Sequence, residues 1–217
     1  MKGKIFNAQE VQAILNGSKV MFREVIKNQT PPDFVCDMKP SLYHSNNRFF
    51  LTGQSYDWWF EKCPYQVGQK IFCKESFFED LIYRKFVGYE IENNLSETIK
   101  INARYMKQEH SRLTLLIKEI KVERLRGISE EDAIKEGATS RPKCFGYEKG
   151  WNGWSMDWSK VGEPSKYSRT GALSESDICM GSAEYAFGNH WNATHKKPEE
   201  KFEASPFVWK IEFEVVK

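Results

Sequence analysis

Residues 7–23 read NAQEVQAILNGSKVMFR, and they set out a short helix that stops abruptly and hands over to a strand. Asn7 is a good N-cap, and Glu10 stands three positions on, as a capping box requires. Val11, Ile14 and Leu15 fall at helical spacing and make one apolar stripe. Gly17 is placed to end the helix in the left-handed conformation that costs other residues energy. Ser18, Lys19, Phe22 and Arg23 follow at once. A lysine and an arginine four residues apart, just past a helix end, can form a fixed anion site or a merely solvated basic turn.

The strands downstream supply the rest of the fold. Lys4-Ile5-Phe6 reads as a short first strand, and Val20 to Ile26 as a second. Cys63 to Gln69 is a turn, and Lys70 to Phe77 a strand whose inward-facing Glu75 needs a partner, with Lys19 or Arg23 the obvious candidates. Residues 81–92 and 99–105 look like two more strands. Ser111 to Leu125 is the longest β signal, and its apolar residues switch parity partway, which predicts a bulge or corner near Leu116 to Ile120. Phe207 to Val215 alternates cleanly, with Phe207, Trp209, Ile211, Phe213 and Val215 inward. Helices are expected over 8–16, 130–136 and 182–192. The second is capped by Ser129, ended by Gly137, has Ile134 as its main apolar residue, and carries Glu136 in its last turn against the helix dipole. Phe49 to Phe60 is aromatic, and adjacent Trp58 and Trp59 point to opposite faces of any strand. Residues 138–180 are irregular and glycine-punctuated, with Trp151, Trp154 and Trp158 suggesting a helical face, a core plug, a lid or a partner surface.

The chain has 217 residues and a net charge of +2, which fits one domain and neither demands nor excludes a nucleic-acid partner. No apolar run suggests a spanning helix or a signal peptide, so a cytoplasmic protein without a membrane partner is expected. Cys36, Cys63, Cys73, Cys144 and Cys179 include no C-x-x-C pair, and His44, His110, His190 and His195 show no ligand spacing, so neither metal nor other cofactor is expected. Basic residues gather along the long strand: Arg112, Lys118 and Lys121 stand out among them, a patch that can meet phosphates without reading sequence.

Several stretches together resemble one family. Gly17-Ser18-Lys19 with Arg23 is similar to the G-x-K-x-x-x-R signature of ASCH domains, a branch of the PUA-like β-barrels. Cys63-Pro64-Tyr65 with Gly68-Gln69 resembles the CPY-x-x-G-D run of phage-type members, and Ser111-Arg112-Leu113-Thr114-Leu115 their SRITL strand. Val122 through Gly137 resembles VERLQDISEEDAIAEG, and Pro206 to Phe213 the closing NPWVWVIEF strand. The resemblance implies an α+β fold: a PUA-like, mostly antiparallel β-barrel with a few flanking helices. Residues 1–217 would form one domain with an aromatic-rich insertion at about 138–180.

The resemblance also implies function. It points to a binding module for RNA or a nucleotide, using a cleft beside Lys19 and Arg23, with Glu75, Arg112, Lys118 and Lys121 as further contacts. Some small ASCH proteins instead deacylate N4-acetylcytidine or act as ribonucleases. In the deacylating group a lysine, a threonine three positions later and a glutamate in the following helix do the chemistry. Lys19 and Glu136 match the catalytic lysine and glutamate, but Phe22 stands at the threonine position, and Ser18 lies on the wrong side of the lysine. Little turnover is expected by that route. A phage accessory protein that grips a host protein, in the host cytoplasm, is the third class.

Overall fold

The computed structural model describes residues 1–27, 29, 59, 61–89, 98–141, 153–156 and 180–216. The first strand, β1 (Lys2–Ile5), leads into helix α1 (Ala8–Leu15). The capping box is closed in both directions: Glu10 N donates to Asn7 Oδ1 at 2.8 Å and Asn7 N to Glu10 Oε2 at 2.9 Å. Gly17 takes φ +78°, which turns the chain out of the helix and into β2 (Met21–Val25). Strands β3 (Lys70–Lys74), β7 (Thr114–Arg124) and β10 (Phe207–Val216) complete a five-stranded sheet in the order β1-β3-β7-β10-β2. Its pairs are antiparallel except β1 with β3. The fold is therefore α+β. Among the described residues the sheet stays open, with β1 and β2 at its edges, and no ladder closes it into a barrel.

The parity switch in the long strand is a bulge. Glu212 pairs with Glu119 and Phe213 with Ile117, so Lys118 is the extra residue on β7. That shift keeps Leu115, Ile117, Ile120 and Val122 all buried.

One face of the sheet packs on α1 through Val11, Ile14, Phe22, Ile71, Leu115, Trp209 and Ile211, with Trp59 in the same cluster. The other face meets α2 (Glu130–Lys135), the hairpin β8 (Ala138–Arg141) with β9 (Gly153–Met156), and α3 (Ala183–Thr194). Consecutive strand residues face opposite sides, so Phe207 and Trp209 join the first cluster while Val208 between them joins the second. This two-sided burial is why the start of β10 is apolar on both faces. Its end is not covered, and Val215, expected inward, is 45% exposed. On α2 the buried residues are Asp132 and Ala133, and Ile134 is exposed. On α3, Gly188 admits the Phe202 ring so closely that a Cβ would lie 2.7 Å from it.

A three-stranded sheet stands apart, ordered β5-β4-β6: β4 (Phe77–Asp80), β5 (Phe86–Tyr89) and β6 (Thr98–Ile101). Here the sequence reading needs correction. The run 70–77 is two strands, broken at Glu75 and Ser76. Residues 81–85 form a turn, because Asp80 Oδ1 accepts from the backbone of both Ile82 and Tyr83. Ala103–Tyr105 is a 3-10 turn capped by Asn102. Within the irregular stretch, Trp154 sits on β9 rather than on a helical face. Trp58, Trp151 and Trp158 lie outside the described residues.

Candidate ligand site

The turn after α1 and the end of α2 build one site. Lys19 N donates to Ala13 O, and Val20 N to Lys135 O at 2.9 Å, which ties the two helix ends together. Gly137, at φ +106°, ends α2 where Glu136 must turn inward. Lys19 Nζ donates to Glu136 Oε2 at 2.8 Å, and also reaches the Glu136 backbone carbonyl at 3.2 Å. Arg23, projecting from β2, donates to Glu136 Oε1 at 2.9 Å. One carboxylate thus bridges both cations of the G-x-K-x-x-x-R run. Glu10 Oε1 stands 3.8 Å from Lys19 Nζ, so the capping residue of α1 also faces the site.

Arg23 is the hub. Its side chain is fully buried and also contacts Glu123 at 2.6 Å and Asp132 at 2.9 Å. Asp132 in turn accepts from Lys210 Nζ at 2.7 and 2.8 Å. Burial alone would lower the Arg23 pKa, but Glu136, Glu123 and Asp132 outweigh it and hold the guanidinium above its ordinary value. Burial likewise opposes ionisation of Asp132, yet Lys210 and Arg23 prevail and hold that carboxyl below its usual range. Glu123, Asp132 and Lys210 were not expected here. Ser129 Oγ accepts from the Asp132 backbone N–H as the N-cap of α2, while the Asp132 carboxylate serves the network.

Beside this network lies a cavity of about 210 Å³, smaller than the roughly 300–1,000 Å³ usual for drug-sized ligands. Its lining joins Lys19, Arg23 and Glu136 to Phe6, Phe22, Phe187 and Trp191, with Lys4, Glu10, Glu24, His190, Thr194 and His195 at its polar margins. Lys4 and Glu24 are paired at 2.7 Å. Burial, with help from the Lys19 charge, pushes the His190 pKa down to about 4, so this imidazole is neutral at physiological pH. Burial also lowers His195, whose ring stacks on Trp191 with centroids 3.8 Å apart. In the sequence this stretch reads only as a helix over 182–192, and nothing in it signals a ligand.

Phe22 meets Phe6 edge-on at 5.7 Å and Tyr65 at 5.6 Å, so it belongs to the core while one side lines the cavity. Ser18 Oγ is held by Ala13 O and the Asn16 side chain. Glu75 is not among the residues lining the cavity. Its partner is Arg112, not Lys19 or Arg23, in a two-pronged pair at 2.8 and 2.9 Å, with the guanidinium over the Tyr89 ring. On the basic wall, Lys118 pairs with Glu214 at 3.2 Å and Lys121 with Glu119 at 2.7 Å. Among the described residues no group of acidic, histidine or cysteine side chains is arranged to hold a metal ion, and no helix is long and apolar enough to cross a membrane. No protein-family model matches the chain, and neither a curated protein nor a solved structure matches it.

Proposed function

We propose that this chain is an ASCH-type, PUA-like binding module that takes a single uncharged nucleobase or nucleoside, free or carried by RNA, in the cavity beside Lys19 and Arg23. The five-stranded, mostly antiparallel sheet is the core of the corresponding barrel in this reading. One observation carries the ligand class: three cations, Lys4, Lys19 and Arg23, line the cavity against three carboxylates, Glu10, Glu24 and Glu136. A phosphate entering there would have to displace a carboxylate from a buried pair, at a cost of several kcal/mol. A flat neutral heterocycle needs no such exchange. It gains stacking on the aromatic walls and fixed donors and acceptors from the polar rim. The anion-site reading of the Lys19–Arg23 turn therefore gives way to a neutral-ligand one.

The paired wall residues add little. Arg112, Lys118 and Lys121 already have carboxylate partners, so RNA that binds does so mainly through the cavity. Deacylation through position 22 has no support, because Phe22 offers no hydroxyl and Ser18 is bound elsewhere. A protein partner gripping the aromatic loop at Trp151 to Trp158 rests largely on positions outside the described residues.

Titration with the four ribonucleosides and with a short single-stranded RNA, read by tryptophan fluorescence, tests the proposal. Nucleoside binding should be nearly independent of salt and lost in Lys19→Met. If only RNA binds, with a steep salt slope that Lys19→Met leaves intact, the phosphate contacts dominate and the proposal fails.

A further inference from the structure

Helix α3 has a face that the cavity beside Lys19 does not use. His190, Trp191 and Thr194 turn toward that cavity, while Tyr185, Gly188, Asn189 and Asn192, three and four residues apart, line a second recess on another face of the helix. This recess, of about 130 Å³, is completed by Arg126 from the 3-10 turn Leu125–Gly127 and by Phe202 and Glu203 from the 3-10 turn Phe202–Ala204. We infer that it is a binding site for a free α-amino acid with a small apolar side chain: Arg126 and Asn189 take the carboxylate, Glu203 the ammonium, and the Phe202 ring the side chain. Its residues are separate from those lining the cavity beside Lys19 and Arg23.

Two opposite charges line this recess without pairing with each other. Arg126 is exposed, and among the described residues its guanidinium has no hydrogen-bond or ion-pair partner. Its backbone is held instead, N donating to Ser205 Oγ at 3.1 Å. Ser205 stands at φ +49°, a left-handed conformation that disfavours residues other than glycine, and Arg124 donates to its carbonyl at 3.1 Å. A strained residue thus pins the turn from which Arg126 projects. The Asn189 side-chain amide is also without a partner among the described residues. Glu203 is oriented: both its carboxylate oxygens accept from Asn192 Nδ2 at 3.0 Å. Asn192 is 9% exposed and holds the same edge again, because its Oδ1 accepts from Phe202 N at 2.8 Å.

The charges decide the ligand class. A phosphate or a plain carboxylate is drawn to Arg126 and repelled by Glu203, and a plain amine meets the reverse. A zwitterion satisfies both. In an α-amino acid the carboxylate and the ammonium share one carbon, so a recess of this size holds the two together. Arg126 then gives the carboxylate a charge-assisted hydrogen bond, the Asn189 amide gives it a second, and Glu203 accepts from the ammonium. The rest of the wall is the Phe202 ring packed on Gly188, which takes a side chain of a few carbons and offers a polar one nothing in return.

L-Valine is the probe, with two analogues that each lack one charge: isovalerate has no ammonium and L-valinamide no carboxylate. Titrated into nitrogen-15-labelled protein, L-valine should shift the backbone amide signals of Gly188, Asn189 and Asn192 together along one saturable curve. Each analogue should bind roughly tenfold more weakly or worse, the equivalent of one lost charge-assisted hydrogen bond. Arg126→Met and Glu203→Gln, both at exposed positions, should each weaken L-valine binding by roughly tenfold or more. The comparison of the three ligands on the wild type keeps the test decisive if a variant fails to fold. No saturable shift of these signals with L-valine overturns the inference. So does isovalerate binding as tightly as L-valine, which would make this a plain anion site, or binding that Arg126→Met leaves untouched.

Discussion

Two basic stretches look alike in sequence and end up physically opposite. Lys19 and Arg23 go into the protein, where each side chain is at most 3% exposed and shares the Glu136 carboxylate. Lys118 and Lys121 stay on the sheet surface, about half exposed, facing Glu214 and Glu119. The pairs have similar lengths, but the medium differs. Between buried partners the effective dielectric is low and no water replaces a lost partner, so each charge depends on the other. On the surface, water and salt stand in for either partner, and the pair is worth little. A contact distance therefore says little about importance until the burial of both ends is known.

The largest test of this contrast is Arg23→Met. It leaves Glu136, Asp132 and Glu123 without their shared cation, and should cost about 3–5 kcal/mol in urea unfolding. A loss below about 1 kcal/mol would mean that the network relaxes into water and that burial is not the deciding variable. Glu136→Gln comes next, at about 2–3 kcal/mol, because an amide keeps the shape but accepts less strongly from two cations. It should also weaken nucleoside binding. Loss of stability with unchanged binding would detach the network from the ligand site.

A pH titration of stability sharpens the comparison further. His190 has its folded pKa lowered from 6.5 to about 4, so the unfolded chain takes up its proton first. Its contribution is complete above pH 6.5 and declines as the pH falls from 6.5 toward about 4. His190→Asn should flatten that decline. Asp132 acts lower: its folded pKa is depressed below 3.8, so its contribution is present above that value and lost as the pH falls through the folded one. An identical acid profile in His190→Asn would show that this ring is solvated. The smallest effect belongs to the surface: Lys118→Ala and Lys121→Ala should each stay within about 0.5 kcal/mol of wild type by chemical denaturation. A larger loss would erase the distinction between the two stretches.

Local chemistry was legible from the chain. The Asn7–Glu10 capping box, the glycine stops at Gly17 and Gly137, the three helices and the bulge at Lys118 all follow from side-chain period and backbone preference, which act over a few residues. The placing of Lys19, Arg23 and Glu136 beside one another was anticipated from a resemblance, not from spacing. Their partners were not. Whether Glu75 meets Arg112 or Arg23, and whether the Asp132 carboxylate meets Lys210, depend on residues 37 and 78 positions away respectively. Near neighbours in the chain settle where the helices begin and stop and where β7 bulges. Which charges are buried, and with whom, was decided only when the sheet brought distant strands together, because the cost of desolvating a charge is set by everything packed around it.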